Sequence, residues 1–326
     1  MEAIRLHSYG PAANLRLETV PDPVARAGQA RIAVGAAGVH FIDTVLRRGE
    51  AVGPHPAPDL PAILGGEVAG VVESVGEGVP AELVGRRVLA SDVLSGGYAS
   101  LAVADAAALT ALPDHVDDGT AVAMAATGTT TFGLLEIAPP GPSDVVLVMA
   151  AAGGIGTLLV QYARAAGARV VGAAGGPEKV ARVAELGADL AVDYRLPGWD
   201  KAVREAIREM GGEVSVVFDG VGGELGRAAY GLLGRGGRHL VYGSAAGEWF
   251  FPAEEEAAAR GVTVIDGIGR LLGRAGGFGD LQAKALAAAA DGSLRPAVQA
   301  FPLARATEAH EALESRNTMG KVILVP

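Results

Sequence analysis

Val145-Val146-Leu147-Val148-Met149-Ala150-Ala151-Ala152-Gly153-Gly154-Ile155-Gly156-Thr157-Leu158-Leu159-Val160-Gln161-Tyr162-Ala163 is the stretch that decides the fold of this 326-residue chain. It carries no charge, and its length would suffice for a membrane-spanning helix. The small residues and glycines in its middle argue otherwise. Val145–Met149 reads as a buried parallel strand, which is a continuous apolar run. Ile155–Ala166 reads as a helix ended by Gly167. The spacing Ala151-x-Gly153-x-x-Gly156, after a strand and opening a helix, is the setting a dinucleotide-binding turn requires. Small residues there let the backbone approach a pyrophosphate at the positive end of the helix. Ala151, Gly153, Gly154, Ile155 and Gly156 are the candidate pyrophosphate residues; an ordinary tight turn is the plainer alternative.

Downstream, strand and helix patterns alternate. Strands are expected at Arg169–Ala173, Ala191-Val192, Val214–Phe218, Arg238–Tyr242 and Val262–Ile265. Helices are expected at Pro177–Leu186, with Pro at its start and Gly187 past its end, and at Asp200–Met210. This is the signature of βαβ units and a parallel sheet. Upstream, residues 1–122 hold short strand-like pieces such as Ala30–Val34, Glu67–Val75 and Arg87–Ala90, broken by Pro and Gly. Four prolines between Val52 and Pro61 predict an irregular loop. A polar break over Asp114–Gly119 should be followed by a helix from Thr120 through Leu135. Residues 269–326 turn strand-like again and are expected to rejoin the first domain. The expected fold class is α/β, with a β-rich domain over 1–122 and 269–326 and a doubly wound parallel sheet over 123–268.

The cofactor is argued from the end of the second strand. NAD enzymes place an acid about 20 residues beyond the glycine turn, on the ribose 2′-hydroxyl. Here that place reads Ala173-Ala174-Gly175-Gly176. Glu178 and Lys179 follow inside the helix. The missing acid favours NADPH, because a carboxylate would repel the 2′-phosphate and a cation would hold it.

Composition narrows the function further. Lys and Arg total 27 against 37 Asp and Glu, giving a net charge of −10 and a pI near 5.1. That balance opposes nucleic-acid binding through phosphates. The absence of Cys removes disulfides, thiolate nucleophiles and Cys-ligated zinc. His7, His55, His115, His239 and His310 show no metal-ligand spacing, so no catalytic metal is expected. Met1-Glu2-Ala3-Ile4-Arg5 has no secretory pattern, and a cytoplasmic protein without membrane partners is expected.

Several stretches together carry a resemblance that runs over essentially the whole chain. They are Phe41-Ile42-Asp43-Thr44, Pro61 to Val72, Gly128-Thr129-Thr130, Ala150 to Gly156, Val216 to Gly223, and Leu313 to Lys321. In this order and spacing they resemble the zinc-free medium-chain dehydrogenases/reductases of the quinone oxidoreductase (zeta-crystallin-like) group. The resemblance implies a GroES-like domain against a Rossmann domain with NADPH in the cleft, and a homodimer built through the nucleotide domain. It implies that Gly175, Lys179 and Tyr194 hold the 2′-phosphate with Arg316 nearby. Thr130, Gly243 and Ser244 would then lie near the ribose and nicotinamide.

Two positions depart from the group: His40 stands where Asn is common, and Val45 where Tyr is common. Val45 cannot hydrogen-bond, so His40 becomes the candidate donor to a substrate carbonyl; a structural histidine is the plainer reading. Asp43 is better read as a turn or helix-cap carboxylate, and Arg47-Arg48 as surface charge. Glu254-Glu255-Glu256 reads as the solvated start of a helix, and Trp249-Phe250-Phe251 as packing at a core or interface. The activity implied is hydride transfer from NADPH to a quinone or an α,β-unsaturated carbonyl compound. Two alternatives stay open. One is an enoyl-thioester reductase whose Arg47-Arg48 would meet a phosphopantetheine. The other is an NADPH-binding structural or RNA-binding protein with little catalysis.

Overall fold

The computed structural model describes residues 1–326 except Pro54 and Met210. The expected helix end at Met210 and the Pro54 position of the proline loop lie outside the described residues. The chain forms two compact units, 1–127 with 285–326, and 128–284.

The second unit is built on the stretch quoted above. Val145–Met149 is a fully buried strand, and the following helix runs Gly154–Ala165. Four further strands cross the sheet at Arg169–Ala174, Leu190–Asp193, Val214–Asp219 and Leu233–Val241, and Thr263–Asp266 closes it. All pairings are parallel. Numbered in chain order within this unit, the strands lie 3-2-1-4-5-6, the doubly wound dinucleotide-binding order. The strand order reverses beside Val145–Met149, so its C-terminal end marks the switch point where ligands bind in such sheets.

Packing explains the small residues. A Cβ on Gly172 would stand 2.2 Å from Val183 Cγ1, so glycine lets the Pro177–Glu185 helix lie close on its strand. That helix has Pro at N1 and Gly187 beyond its end at φ 95°, as expected. Behind the sheet, Leu147, Val171, Val203, Ile207, Val217 and Tyr230 share one core.

The first unit has two sheets. Leu15–Thr19, Glu2–Leu6 and Ala62–Ile63 form an antiparallel three-stranded sheet. The other follows the order Val298–Pro302, Lys321–Val325, Gln29–Val39, Val68–Val75, Arg87–Ala90, Thr110–Ala111, with Leu101–Asp105 also on Gln29–Val39. Lys321–Val325 pairs with Gln29–Val39, so the C-terminal stretch does rejoin the first unit.

The unit boundaries differ from the expected 122/123 and 268/269. Asp118–Ala123 packs on the Gln29–Val39 and Val68–Val75 strands, which carries residues 123–127 with the first unit. Leu271 packs where a side chain on Gly133 would stand, which carries residues 269–284 with the second. The expected helix from Thr120 is three pieces: Asp118–Ala123, capped by Asp117, a π turn over Met124–Gly128, and Thr129–Ile137. Arg47 is not surface charge. It is buried, donating to Gly10 O at 3.0 Å and Glu314 Oε1 at 2.6 Å.

Candidate active site

The glycine turn has the geometry its sequence asks for. Gly153 N–H donates to Ala150 O at 2.9 Å, and the first intrahelical bond is Thr157 N–H to Gly153 O. The amides of Gly154, Ile155 and Gly156 therefore have no carbonyl within the helix and stand at its positive end. A Cβ on Gly156 would fall 2.3 Å from Ala150 O. Ala150 itself takes φ 50°, an unusual value for a residue with a side chain. Ala151 N–H donates to Ala173 O, tying the turn to the neighbouring strand. These residues fit a dinucleotide: paired backbone donors, a helix N-terminus and no side chain in the way.

At the end of Arg169–Ala174 the structure gathers Gly175, Tyr194 and the first turn of the Pro177–Glu185 helix, which carries Lys179. A Cβ on Gly175 would lie 3.2 Å from Tyr194 Cε2, so the ring rests against the glycine. Tyr194 N–H donates to Ala174 O at 3.1 Å. No acid stands at positions 173–176. Arg195, which the sequence reading passed over, lies there too. A Cβ on Gly176 would sit 2.4 Å from Arg195 Nη2, and both Arg195 Nε and Nη2 donate to Asp193. A cation following the third strand was the signal available for it. Asp193 balances most of its charge, and its carboxyl is held below the usual range by the Arg195 hydrogen bonds.

Gly243 and Ser244 follow the Leu233–Val241 strand, where a Cβ on Gly243 would meet Gly220 O at 2.7 Å. Thr130 lies in the first turn of the Thr129–Ile137 helix. Arg316 belongs to the first unit, where its guanidinium stacks 4.2 Å over the Phe41 ring.

In the first unit His40 precedes the Phe41–Arg47 helix. Its backbone N–H donates to Asp43 Oδ2 at 2.8 Å, which bears out Asp43 as a helix-start carboxylate. Asp43 Oδ2 also accepts from Tyr98 Oη–H at 2.8 Å. The His40 ring lies in a cluster of charge: Nε2 is 2.7 Å from Glu67 Oε1, and Lys321 Nζ is 2.9 Å from Nε2 and 3.2 Å from Nδ1. Lys321 Nζ is also 2.7 Å from Glu67 Oε1. Glu67 and Lys321 are 3% and 5% exposed, while the His40 side chain keeps 27%. Burial alone would raise the Glu67 carboxyl, but His40 and Lys321 outweigh it and hold it far below the usual range. Glu67 and Lys321 were both within recognised stretches, yet neither was singled out. A lone acid opening an apolar strand was the available signal, since a buried carboxylate demands a cation.

The alcohol dehydrogenase GroES-like domain matches residues 26–114, and the zinc-binding dehydrogenase domain matches 154–286. A quinone oxidoreductase of Sus scrofa is 32% identical, covering 100% of this chain and 98% of its own length. The chain belongs to the quinone oxidoreductase family of medium-chain dehydrogenases/reductases. Within that family, a mycobacterial structure complexed with NADPH superposes with a TM-score of 0.85 at 33% identity, covering all of both chains. The Escherichia coli quinone oxidoreductase complexed with NADPH gives 0.84 at 29% identity, again covering both chains entirely. As a family member the chain is an oxidoreductase.

One matching domain is named for zinc, and the residues here do not fit that ion. The chain has no Cys. The two ligand-type side chains at the His40 corner already face a cation, the Lys321 ammonium. Among the described residues no three His, Asp or Glu are placed to hold a metal.

Proposed function

We propose that this chain is an NADPH-dependent reductase of quinones or α,β-unsaturated carbonyl compounds, working without zinc. The observation that carries the reading is the second strand's end: Gly175-Gly176 where an NAD enzyme needs an acid, with Lys179 and Tyr194 around it. Family relatives named quinone oxidoreductase, and NADPH in two related structures, support it.

NADPH, when bound, supplies hydride to the electrophilic carbon of the substrate. Ala151 to Gly156 would hold its pyrophosphate, and Gly175, Lys179, Tyr194 and Arg316 its 2′-phosphate. Thr130, Gly243 and Ser244 would hold its ribose and nicotinamide. His40 would meet the substrate carbonyl, where negative charge gathers as hydride arrives. Substrate, NADPH and one proton become reduced substrate and NADP⁺. The proton comes from solvent or a side chain, and the His40 side chain is 27% exposed. A homodimer built through the nucleotide-binding unit and a cytoplasmic setting complete the reading.

The enoyl-thioester alternative relied on Arg47-Arg48 as phosphate ligands. Arg47 is buried on Glu314, and Arg48 is paired with Glu50 and Glu314, so neither offers a free charge. The RNA-binding alternative keeps the net charge of −10 against it. The deciding experiment follows NADPH and NADH oxidation against a quinone and enone panel and against crotonyl thioester. Turnover with NADPH on the panel is expected. Turnover on the thioester alone, or equal use of NADH, would overturn the proposal.

A further inference from the structure

Behind His40 stand two opposite charges that hydride transfer does not itself require. Their placement is specific. Glu67 Oε2 accepts from Ala126 N–H at 3.1 Å, which aims Oε1 at His40 Nε2 and Lys321 Nζ. Gly38 makes room for this: a Cβ there would stand 2.1 Å from Glu67 Oε1 and 2.6 Å from Cγ. The backbone is registered too, since Gly38 N–H donates to Glu67 O and Lys321 N–H to Ala297 O. Glycine at 38, acid at 67 and lysine at 321 form one arrangement, and His40 is the group it surrounds.

Stability alone does not account for it. Withdrawing a carboxylate and an ammonium from water is costly, and an apolar pair of like volume is often as stable or better. A charge pair kept beside a half-open histidine calls for an electrostatic use. We propose that Glu67 and Lys321 are positioning residues for the reduction: together they clamp the His40 ring and fix an ammonium at its nitrogen edge. The proposal rests on His40 as the group at the substrate carbonyl.

The chemistry follows from the contacts. With Nε2–H donating to the carboxylate and Nδ1 left as the acceptor facing Lys321, the pair fixes both the tautomer and the orientation of the ring. The ammonium, held 2.9–3.2 Å from both ring nitrogens and 2.7 Å from Glu67 Oε1, sets its positive charge at the nitrogen edge of the ring. Negative charge growing on the substrate oxygen then meets a field already in place, with no dipoles to reorganise. The other charged groups at this corner are Asp43, which takes the His40 backbone N–H, and Arg316, stacked on the adjacent Phe41 ring. Neither contacts the His40 ring in the way Glu67 and Lys321 do.

The test is the double variant Glu67→Gln/Lys321→Met, which leaves no unpaired buried charge. Turnover, KM and NADPH affinity are measured, the last by direct binding. NADPH affinity is expected within twofold of the parent and kcat about tenfold lower. His40→Ala should cost about 10²-fold in the parent and much less in the double variant. Parent kcat in the double variant, with His40→Ala still costing a hundredfold, would overturn the clamp and leave the His40 reading standing. If His40→Ala is harmless in the parent, both fall. Should the double variant fold poorly, Glu67→Asp keeps both charges but withdraws the carboxylate by one methylene. It should lower kcat severalfold at unchanged NADPH affinity, and parent kcat there would overturn the proposal.

Discussion

Lys179 bears most directly on cofactor choice. It lies in the first turn of the Pro177–Glu185 helix, one turn from Gly175, while the nearby Arg195 has its charge balanced by Asp193. Lys179→Ala should weaken binding of NADPH and of 2′,5′-ADP by about 1.5–3 kcal/mol, the worth of a hydrogen bond to a charged group. NADH and 5′-AMP should bind almost unchanged, which titration calorimetry can establish. An equal loss for both pairs would place Lys179 elsewhere. At this scale the sequence was legible wherever chemistry depends on local spacing. Ala151 to Gly156 adjoin in the chain, and a missing acid is read from a single position. It was illegible where partners meet only through the sheet. Glu67 and Lys321 come from opposite ends of the first unit, and nothing local joins them. Arg47 failed for the same reason, because its partner Glu314 lies on a distant helix.

Among the elements, the turn between Val145–Met149 and Gly154–Ala165 tolerates least. A Cβ on Gly156 would sit 2.3 Å from Ala150 O and 2.7 Å from Ala151 Cα, and backbone cannot rotate away as a side chain can. On Gly153 the nearest atom would be 3.2 Å off. Gly156→Ala should therefore destabilise by about 1–3 kcal/mol and lower NADPH affinity, with Gly153→Ala less damaging to stability. Urea unfolding of the two variants checks the order; equal midpoints would refute it. Apolar runs and glycine stops predicted most of the parallel strands to within a residue or two. The exception is Leu233–Val241, expected only from Arg238. Gly234, Gly236 and Gly237 argue against a strand, yet they sit in it beside a register shift between Val214 and Val216. The π turn at Met124–Gly128 had no signal, since Met-Ala-Ala-Thr-Gly suits an ordinary helix equally well.

Across the whole molecule, acid stability should depend on one buried imidazole. Tyr98 Oη–H donates to Asp43, so its oxygen accepts from His310 Nε2–H at 3.2 Å. His310 Nδ1 has no hydrogen-bond partner among the described residues. Burial pushes this histidine down to about 4, with Asp43 pulling the other way. Between that value and about 6.5 the unfolded chain holds a proton the folded one refuses. Stability from this group is thus present above the unfolded value and is lost as pH falls toward 4. From pH 7 to pH 4 the parent should lose about 3 kcal/mol more than His310→Leu, measured by denaturant unfolding at each pH. Parallel curves for the two proteins would show that His310 does not titrate this way. The two-unit plan itself was legible, but its borders were not. They depend on which unit a connecting helix packs against, and composition does not encode that.

The Lys321–Val325 strand has a consequence for the order in which the molecule is made. It pairs with Gln29–Val39 on one side and with Val298–Pro302 on the other. A ribosome working at about 5–20 residues per second delivers Glu67 and His40 early, then the whole of residues 128–284, and only afterwards the lysine that neutralises Glu67. The parallel sheet, continuous in the chain, can close while translation is still under way. The first unit spends that interval with a gap in its sheet and an acid awaiting its counter-charge. Its sheet is thus the later of the two to be completed, and nascent chains stalled before residue 321 carry a closed parallel sheet while the first unit's sheet still lacks a strand.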